Sequence, residues 1–381
     1  MKKTTMIGAV TSLTLLSSAC NLMSSELPAA MSTSSAPAPV ISYPGTAFTE
    51  IALIAGVPYV DFTSFGSADG ISGRFRLPNG IAIDSSYYYL GDTGGHTVRR
   101  VSRSTGAIQT IAGLAGTRGT VDGNGSAARF GWPTDLLLSG STLYVSDLDN
   151  HCIRAIDISS PVFPVTTVVG LCGTSGTDDG IGSAARFNQP AGMAKVGGDL
   201  YLAEFANHSI RKIQLSNLEV STVAGTAGVS GASDDIGTLA QFNAPVAMTH
   251  YLDPVDGDVL FITDQSNHAI RRLVLSDTSV TTIAGTLAVA GYADGLQSSF
   301  RYPWGITSDG SSLYVGDTGN YMIRKISLSD YSVSTLLGAL GTTIDVFGSL
   351  ATARLSTSAP LYFDSQLGLI GTTQSTLFRV K

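Results

Sequence analysis

The sequence is poor in charge. Only 13% of its 381 residues are Asp, Glu, Lys or Arg, against about 25% in an average soluble chain, which excludes coiled coils and helical bundles rich in Lys and Glu. Its 43% apolar content excludes a disordered chain. A basic excess is also missing: 22 Lys and Arg against 29 Asp and Glu leave a net charge of −7. Nucleic acid, which needs a basic face, is excluded as a partner. No run of 18 apolar residues occurs, so no segment reads as a spanning helix, which takes about 20. Histidine (5) and cysteine (3) are scarce. No G-x-S-x-G, H-E-x-x-H, Walker loop or dinucleotide fingerprint is present. Accordingly no catalytic residue, metal site or cofactor is expected. Glycine, by contrast, is plentiful at 43 residues, which suits many short strands joined by tight turns that need φ > 0.

Lys2 and Lys3 precede an uncharged stretch, residues 6–16, followed by Ser17, Ser18, Ala19 and Cys20. Residues 1–19 therefore read as an export signal. Its removal would leave 20 − 29 = −9. The small residue before Cys20 resembles the lipobox of bacterial lipoproteins, which implies a lipidated Cys20 as the first mature residue and the membrane as a partner through that lipid. Leu16 stands four residues before the Cys, one further than the lipobox has it, and Ser17 and Ala19 equally suit ordinary signal peptidase, so plain secretion is the alternative. Asn21, rather than Asp, implies the outer membrane of the cell envelope. Residues 20–47 are rich in Ser, Ala and Pro without periodicity and read as a tether.

The remainder is repetitive. F-x-x-P recurs at Phe75/Pro78, Phe130/Pro133, Phe187/Pro190, Phe242/Pro245 and Phe300/Pro303, with a degraded copy at Leu355/Ser358; the steps are 55, 57, 55, 58 and 55 residues. An apolar residue followed by Arg recurs at Val98-Arg99, Ile153-Arg154, Ile210-Arg211, Ile270-Arg271, Ile323-Arg324 and Phe378-Arg379. Runs of the IQTIAG and VTTIAG kind close at Gly113, Gly170, Gly225, Gly285 and Gly338, and one more, IALIAG, stands ahead of the first unit and closes at Gly56. The last unit ends after its third strand-like piece, and the missing fourth is the displaced IALIAG. Pairing of the two chain ends in one blade would close a ring and remove sheet edges. Residues 48–381 are thus expected to form an all-β, six-bladed β-propeller.

The pattern A-R-F-x-x-P-x-G, L-Y-V-x-D-x-x-N-H-x-I-R-K-I, V-T-T-I-A-G resembles the NHL repeat. Asp-Leu-Asp-Asn-His at 147–151, Glu-Phe-Ala-Asn-His at 204–208 and Asp-Gln-Ser-Asn-His at 264–268 match its core; Gly95 and Tyr321 depart from it, and Thr372 stands at the Asp position of the last unit. The resemblance implies a propeller with an interaction surface. It does not choose among the family's RNA binders, receptor ectodomains and diverged lyases or hydrolases.

An acid precedes each of five arginines by seven residues (Asp92/Arg99, Asp147/Arg154, Glu204/Arg211, Asp264/Arg271, Asp317/Arg324). A role repeated around a ring is structural rather than catalytic. Arg129 and Arg186 are expected to pair with a neighbouring acid. Of the five His, four (His96, His151, His208, His268) share one repeat position and so lie in different blades, too far apart for one zinc ion. His250 lies in an insert with Asp253, Asp256 and Asp258, where a hairpin turn outweighs a calcium site. Cys152 and Cys172 fall in one unit; a hairpin centred near Val162 would place them face to face, as a disulfide.

The long links from each fourth strand to the next first strand are the expected binding face. Their candidates are Asp122, Asp178, Asp179, Asp234, Asp235, Asp294 and Tyr292, which favour a polar or cationic partner. Trp132, Tyr302 and Trp304 flank the repeat Pro and read as packed, against a glycan-binding role. The sequence therefore points to a noncatalytic binding or scaffolding module recognising an envelope or extracellular protein. The rival is a propeller-type lyase or hydrolase with its site at the central channel.

Overall fold

A computed structural model describes residues 48–59, 65–341, 344–357 and 360–381; the export signal, Cys20 and the tether lie outside them. Six antiparallel sheets of four or five strands form the blades of a propeller. The inner strands touch in the order Pro78–Ile83, Pro133–Ser139, Pro190–Val196, Pro245–Asp253, Pro303–Ser308 and Leu361–Asp364, and the last touches the first. We number blades I to VI in that order.

Each blade alternates apolar residues across a strand that is buried on both sides, because its faces meet the two neighbouring blades. Apolar clusters fill the gaps between blades: Ala82 and Tyr89 of blade I pack with Leu136 and Leu143 of blade II. The repeated Gly at the end of the fourth strand is a backbone requirement. Gly225 has φ 88, and a Cβ there would stand 2.5 Å from the His208 carbonyl oxygen.

The ring closes as the displaced IALIAG segment requires. Glu50–Gly56 is the fourth strand of blade VI and pairs antiparallel with Thr376–Val380. The long links do not stand free. Gly123–Asn124, Gly180–Ile181, Asp235–Ile236 and Gly348–Ser349 each add a two-residue strand to the outer edge of the following blade, where they cover unpaired backbone.

The disulfide forms between Cys152 and Cys172, with 5.1 Å between their Cα atoms, but not by the face-to-face register expected. Thr167 opposes Arg154, and the ladder ends at Val169 opposite Ile153. Cys172 therefore lies beyond the strand. The chain turns at Gly170, at φ 91, and brings Cys172 back to the start of the third strand.

Candidate functional site

The repeated polar residues build one device in each of the first five blades. Arg99, Arg154, Arg211, Arg271 and Arg324 are fully buried. Each guanidinium lies between two carboxylates. The inner one ends the second strand: Asp92 at 2.8 Å, Asp147 at 3.2 Å, Glu204 at 2.8 Å, Asp264 at 2.6 Å and Asp317 at 2.8 Å. The outer one comes from the long link: Asp69, Asp122, Asp179, Asp234 and Asp294, at 2.6 to 2.8 Å. The Phe of F-x-x-P stacks beneath, with Arg154 5.2 Å from the Phe130 ring centre and Arg271 5.0 Å from that of Phe242. Two oppositely placed charges and an aromatic face offset the desolvation of a buried cation. Burial pushes the inner carboxyls up, while the arginines and backbone N–H groups pull them back.

The other repeat residues complete this clamp. Asp147 accepts the Gly131 N–H at 2.7 Å, and Asn150 donates both to Asp147 and to the Gly119 carbonyl. The second Thr of V-T-T-I-A-G donates to the outer acid: Thr167 to Asp122, Thr222 to Asp179, Thr282 to Asp234. The histidines are inter-blade fasteners. His151 Nδ1 accepts the Gln189 N–H at 3.1 Å, His208 that of Ala244 at 3.0 Å and His268 that of Tyr302 at 3.2 Å, while His96 Nδ1 donates to the Gly131 carbonyl. Burial holds all four below the usual imidazole pKa.

Blade VI solves the same problem without the cation. Gly56 opposes Thr376 and Leu53 opposes Phe378, as Gly113 opposes Thr97 and Thr110 opposes Arg99. Phe378, not Arg379, therefore occupies the arginine seat. The turn between the second and third strands is shorter here, which shifts the register from that read in the sequence. Leu355 replaces the stacked Phe in the same apolar cluster. Asp345, from the link, accepts the Ser356 N–H at 2.8 Å and the Tyr59 N–H at 2.9 Å, and takes the Thr373 hydroxyl at 2.8 Å.

Of the residues expected on the binding face, Asp122, Asp179, Asp234 and Asp294 are thus the outer jaws of the clamps, with 43 to 50% of their side chains still exposed. Asp178 is exposed, Asp235 accepts the Ile236 N–H, and Tyr292 is 59% exposed. Alongside them the links display aliphatic residues: Ile71, Ile181, Ile236 and Leu296 each stand two positions after the jaw acid and are 77, 62, 58 and 72% exposed. Arg129 and Arg186 do not pair with acids; each donates to three backbone carbonyls of its own link. In the blade IV insert, Asp253 accepts the Val255 and Asp256 N–H groups of the hairpin turn. Arg272 pairs with Asp253 and Asp256, and His250 with Asp258.

A cavity of about 380 Å³ occupies the centre of the ring, lined by the inner strands of all six blades. Tyr302 packs edge-on against His268, 4.7 Å between centroids, whereas Trp304 lines this cavity rather than being packed away. Asp135 lines it too. Burial pushes its carboxyl up to about 7, against the backbone N–H groups of Met193 and Leu136 that it accepts. Sequence reasoning missed Asp135 because it asked which acids recur. The signal lay in the opposite question: two residues after the repeat Pro stand Gly80, Asp135, Gly192, Ala247 and Gly305.

These features can be set beside known proteins. The human NHL repeat-containing protein 2 is 26% identical over 307 residues, 71% of this chain and 42% of that relative. The blades are similar to NHL repeats. The chain thus spans less than half the length of the curated relatives it matches first, and no family model matches it. A solved Bacteroides thetaiotaomicron protein of unknown function shares the propeller fold with a TM-score of 0.65 at 17% identity, covering 87% of this chain and 75% of that one. An auxiliary nutrient binding protein of the same organism gives 0.65 at 12% identity, covering 87% and 76%. At such identities the likeness is one of fold.

Proposed function

We propose that the protein is a noncatalytic binding module of the cell envelope, anchored through lipid on Cys20, that recognises another envelope or extracellular protein through the links of its loop face. The observation that carries this reading is the repeated display of Ile71, Ile181, Ile236 and Leu296, each more than half exposed, on links whose jaw acids are engaged by buried arginines. Ile71, Ile181, Ile236 and Leu296 each lie beside the outer edge of a different blade, I, III, IV and V, so the same exposed aliphatic is presented four times around the ring, where a partner spanning several blades would meet it. The partner this favours carries apolar groups spaced to match these links, rather than only the cationic groups that the acids alone suggest. The fold shared with a nutrient binding protein of Bacteroides agrees with a binding role outside the cytoplasm.

The test is capture from envelope extract by residues 48–381, against a bait carrying Ile181→Asp, Ile236→Asp and Leu296→Asp. The reading expects one protein enriched by the first bait and lost with the second, both baits melting alike. A folded first bait that enriches nothing overturns it. Labelled palmitate should enter the full-length chain and not its Cys20→Ser variant.

A further inference from the structure

We propose that the central cavity is a seat for a small organic ammonium ion, held between the Asp135 carboxylate and the Trp304 indole. This site is separate from the loop face, and stands or falls independently of it.

Asp135 is the departure from a repeat that otherwise keeps the axis uncharged at this level, where Gly80, Gly192, Ala247 and Gly305 occupy its place. Half-buried at the cavity wall, it also differs from the buried carboxylates of the blades. Asp92, Asp147, Glu204, Asp264 and Asp317 each face a guanidinium, and Asp345 gathers two N–H groups and a hydroxyl. Asp135 takes the Met193 N–H at 2.7 Å on Oδ2 and the Leu136 N–H at 2.9 Å on Oδ1. No cation pairs with it among the described residues. A carboxylate offers about four lone-pair sites, so two remain, on a group whose charge nothing nearby offsets.

Trp304 supplies the other half. It belongs to blade V, which stands opposite blade II in a ring of six, and follows its Pro by one residue where Asp135 follows by two. Both therefore line the same end of the channel. The indole face is the strongest cation–π surface among side chains, and the cavity falls within the ~300–1,000 Å³ range of small-molecule sites. The charged groups near Asp135 are already engaged. Asp92 and Asp147, on the strands packed against its own, are closed by their arginines. Lys195 and His250 line the cavity near the far ends of their strands, with Lys195 donating to the Gly197 carbonyl at 2.6 Å and His250 bonded to Asp258 at 2.7 Å.

The experiment is calorimetric titration of the purified protein with choline and with its neutral carbon analogue 3,3-dimethylbutanol, repeated by intrinsic fluorescence. Choline should bind and the neutral analogue should not. Asp135→Asn, which can still accept the Met193 N–H, should weaken choline about tenfold or more, and Trp304→Leu similarly. Lys195→Gln should not weaken it. Because the chain has 2 Trp, the fluorescence response should survive Trp132→Phe and vanish with Trp304→Phe. Equal binding of choline and its analogue, undiminished binding by Asp135→Asn in a protein that melts normally, or no response to either choline or methylammonium would each overturn the proposal.

Discussion

The Arg154 guanidinium lies between Asp147, at 3.2 Å, and Asp122, at 2.6 Å, and thereby ties the end of a blade's second strand to the link that enters the blade. Replacing the cation alone strands a buried carboxylate, which typically costs about 3–5 kcal/mol. Blade VI shows how the seat is filled without a cation, by the buried Phe378, while Thr373, just past the second strand, donates to the link's Asp345. Arg154→Phe should therefore be strongly destabilising, whereas Arg154→Phe combined with Asp147→Thr should recover part of the loss. A double-mutant cycle in urea measures the coupling; additive effects would contradict the clamp.

The histidine fasteners carry a pH dependence. His151, His208 and His268 accept a backbone N–H through Nδ1, and burial lowers their pKa values. Below about pH 6.5 the unfolded chain takes protons that the folded one resists, so this contribution to stability falls as pH falls. His208→Asn keeps the left-handed backbone at φ 57. It should cost about 1 kcal/mol near neutrality, and the deficit should shrink on acidification. Thermal melts across the acid range decide it; a deficit that grows would refute the assignment.

Asp135 titrates in the opposite sense. Its carboxyl is raised from 3.8 to about 7, so the folded state holds a proton that the unfolded state has lost between those values, and stability from this group declines as pH rises through about 7. In the absence of ligand, Asp135→Asn should raise Tm at about pH 8 and change little at about pH 4. An unchanged Tm difference across this range would place the titration elsewhere.

The Cys152–Cys172 bridge closes a 20-residue separation, for which loop entropy gives about 3 kcal/mol. Cys152→Ala with Cys172→Ala should lower the unfolding free energy by about that amount in urea without changing the strand content seen by circular dichroism. Melts of the two proteins under reducing conditions should coincide.

What the sequence made legible follows from spacing. The inner acid stands seven residues before its Arg because both lie on one short hairpin, and the ring closure follows from a fourth strand displaced to the front. The outer jaws Asp122, Asp179, Asp234 and Asp294 read as surface acids in the sequence, and Asp69 draws no notice there, since the links that carry them vary in length and only the fold aims them inward at Arg99 and its counterparts. The last unit misled for the same reason: Phe378-Arg379 matches the apolar-Arg pattern, but a shortened turn moves Phe378 into the arginine seat. Asp135 escaped because it does not recur, and a reading built on recurrence discards what departs from it; Trp304 was read as packed because it flanks the repeat Pro, whereas the fold turns that flank toward the central cavity.

The closing strand also sets how the ring would fail under load. Thr49 N–H meets the Lys381 carbonyl, and Lys381 N–H returns to Glu50, so the chain enters the propeller at the corner where it ends. Tension transmitted through Phe48 would fall first on these bonds and then peel Glu50–Gly56 from Thr376–Val380 one pair at a time. Blades I to V each keep all four strands in one continuous stretch of chain, so blade VI is the mechanical fuse of the assembly.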